Sequence, residues 1–182
     1  MKVRKINVFY EFFKFSWAFG KTIGYYIPDE YFFGQNVWGL FEYDESVVGG
    51  FALVNREQRV IDELPDDFDK EKLRNTCTEI TGYFIKQKKG SFKLTCRLLI
   101  EVLKNDRNKF IYAYPVSNKA LQKYYGYGKP KLIFSGYPKK LHGHKDDMEE
   151  QNVEILTKFG VFKIFFYRTL KQIKRKIFKI KK

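Results

Sequence analysis

The chain is poor in the side chains that build most metal and redox centres. Two cysteines, Cys77 and Cys96, and two histidines stand among 182 residues, with five prolines, two methionines and two tryptophans. Two cysteines cannot form a disulfide framework, and both lie in apolar stretches. The expectation is a reducing, cytoplasmic setting with two buried thiols, a single bridge being the alternative. No uncharged apolar run approaches the ~18 residues of a membrane-spanning helix. The first 25 residues, although aromatic, carry charge and lack a small-residue cleavage site, so neither export nor a membrane span is expected. His142-Gly143-His144 with Asp146 and Asp147 is too compressed for a ligand set and reads as a solvated loop, so no metal site is expected. No Ser-His-Asp order, phosphate-binding Walker loop or zinc signature can be assembled.

Acidic residues are also outnumbered. Thirty-five Lys and Arg against 21 Asp and Glu leave a formal charge of +14, which favours a negatively charged partner: nucleic acid, anionic lipid, a nucleotide cofactor or an acidic protein. What the chain has in quantity is apolar surface. Hydrophobic residues make up 44% and aromatic residues 19%, enough to offset chain entropy over one domain.

Periodicity places the elements. Residues 1–19 read as a short strand followed by a helix. Val37 to Tyr43 and Val47 to Val54 flank the turn-prone Asp44-Glu45-Ser46 and read as a hairpin. Residues 55–75, with Asp62, Glu63, Asp66, Asp67, Asp69 and Glu71 around Pro65, read as a solvated acidic loop with room for one helical turn, or as a rim attracting a cationic substrate. Then come a strand at Cys77 to Ile85, a helix from Phe92 to Lys104, a strand at Phe110 to Tyr114, a short helix from Lys119 to Tyr125 and a strand at Lys131 to Tyr137. Strand, helix, strand, helix implies a right-handed crossover and a parallel strand pair.

From Ile155 to Lys182 there are ten Lys or Arg and no acid. Ile155, Phe159, Phe162, Phe166, Leu170, Ile173, Ile177 and Ile180 recur at steps of three or four, which places them on one helical face with the cations elsewhere. The β-prone run 161–167 predicts the last strand of the sheet, followed by a basic amphipathic helix. The expected division is a domain over residues 1–167 and a basic tail over 168–182.

The stretch Val47 to Phe134 resembles the GNAT superfamily of N-acetyltransferases. The features that carry the resemblance are the hairpin, the strand Thr78 to Ile85, the loop Gln87-Lys88-Lys89-Gly90-Ser91-Phe92, the helix after it and Asn118 to Gly128. Phe92 stands where that family usually has Gly or Ala. The resemblance implies a mixed α/β, three-layer fold with a splayed parallel strand pair and a cleft between 79–85 and 110–114. It implies acetyl-CoA or another acyl-CoA as co-substrate. Its pyrophosphate would lie on Gln87, Lys88, Lys89, Gly90, Ser91 and Phe92, its pantetheine arm beside the Tyr83, Phe84 and Ile85 backbone, and Asn118 would bind the cofactor or simply cap its helix. The amides before Leu94 suit a pyrophosphate on physical grounds as well, since the orphan donors and dipole of a helix N-terminus favour an anion; an ordinary strand-to-helix loop with solvated lysines is the alternative.

Acyl transfer to an amine needs a base and an acid. Glu79, the acid of an otherwise neutral strand, is the candidate base, or else an outward-facing solvated group. Tyr124 or Tyr125 is the candidate acid by the resemblance, packing being the alternative in a chain of 13 tyrosines. Thr78 to Ile85 is also similar to the Glu-hydrophobe-Ser-Arg strand of acyl-homoserine lactone and long-chain N-acyl amino acid synthases, with Gly82 in place of the Arg. In that setting the basic tail would suit an acidic acyl carrier protein or the anionic inner face of a membrane. A nucleic-acid-binding module, with tail cations on phosphates and aromatics on bases, is the reading from another class; the alternation of tail cations with large apolar residues speaks against it.

Overall fold

The computed structural model describes residues 1–24, 26–86, 89–139 and 149–180, with the side chains of 172–180 outside the description. Gln87, Lys88, the His142–His144 segment with its two aspartates, and the last two lysines lie outside the described residues.

A seven-stranded mixed sheet runs through the molecule in the order β1-β2-β3-β4-β5-β7-β6. Its strands are β1 Lys2–Lys5, β2 Asn36–Phe41, β3 Val47–Val54, β4 Cys77–Ile85, β5 Lys109–Pro115, β6 Lys131–Gly136 and β7 Gln151–Thr157. Neighbours are antiparallel except β4 and β5. The hairpin, the parallel pair and the strand-helix-strand crossing all stand where periodicity put them. β3, an almost continuous apolar run, is buried along its whole length, as a strand covered on both faces must be.

Helices cover the two faces unequally. α1 (Phe9–Ile23) lays Phe12, Phe15 and Phe19 over Ala52, Val54 and Phe84. On that same face α2 (Arg59–Asp62) and α3 (Lys70–Thr76) replace the expected loop: Val60, Ile61 and Leu64 are buried against Cys77, Ile111 and Val153, Glu63 is buried as well, and Asp66, Asp67, Asp69 and Glu71 turn outward. Asp66 pairs with Lys70 and Lys139, Asp62 pairs with Arg74, and Asp69 caps α3 at Lys72 N–H, so these acids are engaged with the protein's own cations and amides. The opposite face carries α4 (Ser91–Lys104), α5 (Lys119–Gly126) and α6 (Lys158–Ile180). Leu94, Leu98 and Val102 of α4 meet Leu40, Phe51 and Phe110.

The C-terminal region corrects the sequence reading. Residues 161–167 are helical, and the strand that completes the sheet is β7, in the preceding segment. Ile155, the first residue of the predicted helical stripe, lies in this strand, which also contains Asn152 and Glu154. Both are buried, and Glu154 accepts hydrogen bonds from Tyr112 (2.6 Å) and Tyr114 (2.9 Å), which give its two oxygens partners inside the sheet layer. Tyr167, the expected end of the domain, falls inside α6. Ile155, the first member of the predicted apolar stripe, packs on the core from β7, whereas Phe159, Phe162, Phe166 and Leu170 are exposed on α6 and Val161, Ile164, Phe165 and Arg168 turn inward. Both cysteines are free; Cys77 is buried, but Cys96 is half-exposed rather than buried. No described helix is long and apolar enough to cross a membrane.

Candidate active site

The site follows from how β4 leaves its neighbour. β4 pairs with β5 only through Cys77, Thr78 and Glu79, against Lys109, Phe110 and Ile111, although it continues to Ile85. Gly50 pairs with Phe84 and Ala52 with Thr81, so β4 holds one extra residue between these pairs, a bulge centred on Gly82. Gly82 has φ +62°, in the left-handed region, and an added Cβ would lie 3.0 Å from the Phe15 ring. A side chain there would be strained and crowded at once, which is why a glycine stands at the bend. The bend steers the second half of β4 away from β5.

Between the parted strands lies a cavity of about 470 Å³, within the range of small-molecule sites. It passes through the sheet layer. On the α1 side its wall is Phe19, Ile23, Arg59, Glu63 and Glu79; on the other it is Tyr83, Tyr124, Tyr125, Phe165 and Arg168.

Glu79 is the last residue of the paired seam and sits at the apex of the gap. It is fully buried, which excludes the solvated alternative. Its Oε1 accepts from the Tyr31 hydroxyl (2.8 Å) and its Oε2 from the Val60 amide in the first turn of α2 (2.9 Å). Burial pushes its pKa from 4.5 up to about 8; the two hydrogen bonds oppose that rise, and the nearby Glu63 carboxylate adds to it. Glu63 is itself held by Arg59 at 3.0 Å. Tyr31, whose oxygen also accepts from the Arg59 amide (3.0 Å), has its own pKa driven well above the usual value, first by burial and then by Glu79. The arrangement is a buried carboxyl that holds its proton at neutral pH and releases it under mildly alkaline conditions.

Tyr124 and Tyr125 both line the cavity from α5. The Tyr125 ring lies 4.5 Å from that of Tyr112 and 5.4 Å from that of Tyr114, so it packs as well as faces the cavity. Burial raises the pKa of both, which keeps each hydroxyl a proton carrier rather than a phenolate.

The donor-side residues divide. Gly90, with φ +85°, caps α4, whose ladder begins at Leu94 N–H to the Gly90 carbonyl (3.1 Å); the amides of Ser91, Phe92 and Lys93 are thus first-turn donors. Lys89 is exposed beside them. The Phe92 ring, half-exposed, lies 6.2 Å from Phe165 of α6 and is not in the cavity wall, so it does not fill the bend. Tyr83 lines the cavity. The Phe84 side chain points the other way, under α1, and Ile85 packs on the α4 face outside the cavity wall, which leaves to both only the backbone role. Asn118 is exposed and its side-chain oxygen accepts from Leu121 N–H (3.1 Å), the capping role.

Three parts of the site carry no local signature. Tyr31 sits in the 3-10 turn Asp29–Phe32, 48 positions from the carboxyl it touches. Glu154 is bonded to tyrosines 40 and 42 positions away, which no local pattern signals. Arg168 is the third: from α6, its Nη1 donates to Thr95 Oγ1 (3.0 Å) and to Tyr83 Oη (3.3 Å), and it also bonds Tyr124. α6 runs over the expected pantetheine path. Phe165 touches the start of α4, and Tyr167 stacks on Tyr127 beyond α5, with ring centroids 3.5 Å apart. Among the described residues there is no cluster of three or more metal-ligating side chains.

No protein-family model matches the sequence, and no curated protein matches it significantly. Solved structures match its fold. An N-acetyltransferase from Staphylococcus aureus Mu50 superposes with TM-score 0.59 at 10% identity, over 86% of this chain and 97% of that one. Arabidopsis thaliana NAA60, solved in complex with acetyl-CoA, gives TM-score 0.57 at 11% identity, over 86% and 97%. FeeM, an N-acyl amino acid synthase from uncultured soil microbes, gives 0.60 at 13% identity, over 86% and 90%. The chain has the GNAT-like fold that its sequence resembles.

Proposed function

We propose that the protein is a cytoplasmic N-acyltransferase that moves an acyl group from a pantetheine thioester, acyl-CoA in the simplest case, to a primary amine. The observation that carries this reading is the parting of β4 from β5 directly after Glu79, which opens the cavity with a buried carboxyl at its apex. The acyl donor enters from the side of α4 and α5, with its pyrophosphate on the amides before Leu94 and its arm beside Tyr83 to Ile85. The amine enters from the side of α1 and α2. Its nitrogen forms a bond to the thioester carbonyl carbon, the carbon–sulfur bond breaks, the ammonium proton passes to Glu79, and Tyr124 or Tyr125 hands a proton to the departing thiolate. Holding both reactants in one crevice supplies much of the rate. Calorimetry or native mass spectrometry with acetyl- and longer acyl-CoA tests the reading; absence of binding across the series removes it.

Two exposed apolar stripes support a second reading, in which a long-chain acyl group is handled at an anionic membrane surface. α1 presents Phe9, Tyr10, Phe13 and Trp17, with Lys14 over the Tyr10 ring and Lys21 over that of Trp17. α6 presents Phe159, Phe162, Phe166 and Leu170 beside Lys163. Aromatic rings flanked by lysines suit the headgroup level of an anionic bilayer. An acidic acyl carrier protein would suit the same cations. Vesicle sedimentation separates these: retention on anionic but not neutral vesicles, lost on Trp17→Glu or Phe166→Glu, supports the membrane, and no retention removes it.

A further inference from the structure

Among the described residues, Arg168 has no carboxylate partner. Arg4, Arg59, Arg74 and Arg97 each pair with a carboxylate. Arg168, half-buried in the cavity wall, meets only the neutral hydroxyls of Thr95, Tyr83 and Tyr124, and no carboxylate among the described residues. Removing a guanidinium from water without an opposing charge is costly, so a folded chain keeps it there where an anion completes the arrangement. The position narrows the choice of anion. Thr95, which anchors the guanidinium, donates to the Ser91 carbonyl (2.8 Å) and so lies one helical turn, about 5.4 Å, inside the amides that open α4. Tyr83, the other anchor, is the first residue of the β4 segment beside which the arm of the donor would run.

We propose that Arg168 binds the phosphate at the head of the donor's phosphopantetheine arm, so that α6, an element outside the stretch that carries the family resemblance, completes the donor site. The proposal rests on the thioester-donor reading above. Coenzyme A and the prosthetic group of an acyl carrier protein present this same phosphate, and the guanidinium fork suits its oxygens.

The test compares full-length wild type, Arg168→Gln and Arg168→Lys with one acyl group on four carriers: pantetheine, 4′-phosphopantetheine, coenzyme A and an acyl carrier protein. Wild type should hold the phosphopantetheine thioester about 10- to 100-fold more tightly than the pantetheine thioester, the range for hydrogen bonds to a charged group. Arg168→Gln should shrink that difference several-fold, to what the amides that open α4 supply alone, with Arg168→Lys in between. A loss shared equally by phosphorylated and unphosphorylated donors marks a structural role and overturns the proposal, as does an Arg168→Gln variant that keeps the preference undiminished. If wild type binds none of the four, the donor reading itself fails. Whichever of coenzyme A and carrier protein binds more tightly to wild type, and loses that affinity in Arg168→Gln, names the natural source.

Discussion

Replacing Glu79 by Gln keeps the shape of the buried carboxyl and removes its titration. In the folded chain that carboxyl titrates near 8, against 4.5 when exposed. Between those values the native state keeps a proton that the unfolded chain has released, so the wild-type protein loses stability as pH rises through this window and levels off above about 8. At ~1.36 kcal/mol per pKa unit the full shift corresponds to about 5 kcal/mol, of which about 3 to 4 falls between pH 5 and 8. The glutamine variant lacks this slope. Urea denaturation of both proteins at unit pH steps from 5 to 9 should show the variant gaining about that much relative to wild type as pH rises. Curves that stay parallel within about 1 kcal/mol would refute the buried, protonated carboxyl. The same titration governs catalysis. Wild-type kcat/KM should climb roughly tenfold per pH unit below 8 and then flatten, as expected of an essential base. A variant with unchanged turnover would remove Glu79 from the mechanism.

Tyr31→Phe deletes one of the donors that oppose the rise of the Glu79 pKa, so the ascending limb of the pH–rate profile should move to higher pH, with a stability loss of about 1–2 kcal/mol by denaturation. Gly82→Ala places a Cβ at positive φ against the Phe15 ring; it should cost about 1–3 kcal/mol and lower Tm by several degrees. Gly160→Ala puts a Cβ 2.8 Å from the Gly128 carbonyl oxygen and 2.7 Å from Leu156, and should cost about 1–3 kcal/mol, with amide exchange along α6 rising before that of α4.

The middle of the chain was legible because each element there obeys one period and is closed by turn residues: the hairpin about Asp44-Glu45-Ser46, β4, α4, β5 and α5. Legibility fails where a polar residue is satisfied from afar. β7 escapes because Ile155 fits the helical stripe and the β-prone run 161–167 reads as the last strand, while the tyrosines that hold Glu154 lie 40 and 42 positions away. The acids of 55–75 hid α2, whose inward Val60 and Ile61 make too short a run to show a period. In α6 the large apolar side chains share one face as the spacing predicts, but that face is exposed, and the strand expected at 161–167 gave no reason to look for Arg168 in the cavity wall. For the site, Glu79 stood out as a lone carboxyl in a neutral strand, and Tyr124 and Tyr125 came through the resemblance. The partners that set their chemistry, Tyr31, Arg59 and Glu63, arrive from loops and turns with no pattern of their own.

The sheet is two antiparallel panels, β1 to β4 and β5-β7-β6, stitched by three rungs at one end. α6 braces them across the open end, gripping Tyr83 on one panel's strand and Tyr127 just beyond α5 on the other's side. With so short a spine, the width of the opening is set as much by that brace as by the strands. Anything that wedges the panels apart must therefore load the Tyr127–Tyr167 stack, and stiffening or loosening that stack alters how wide a guest the crevice admits.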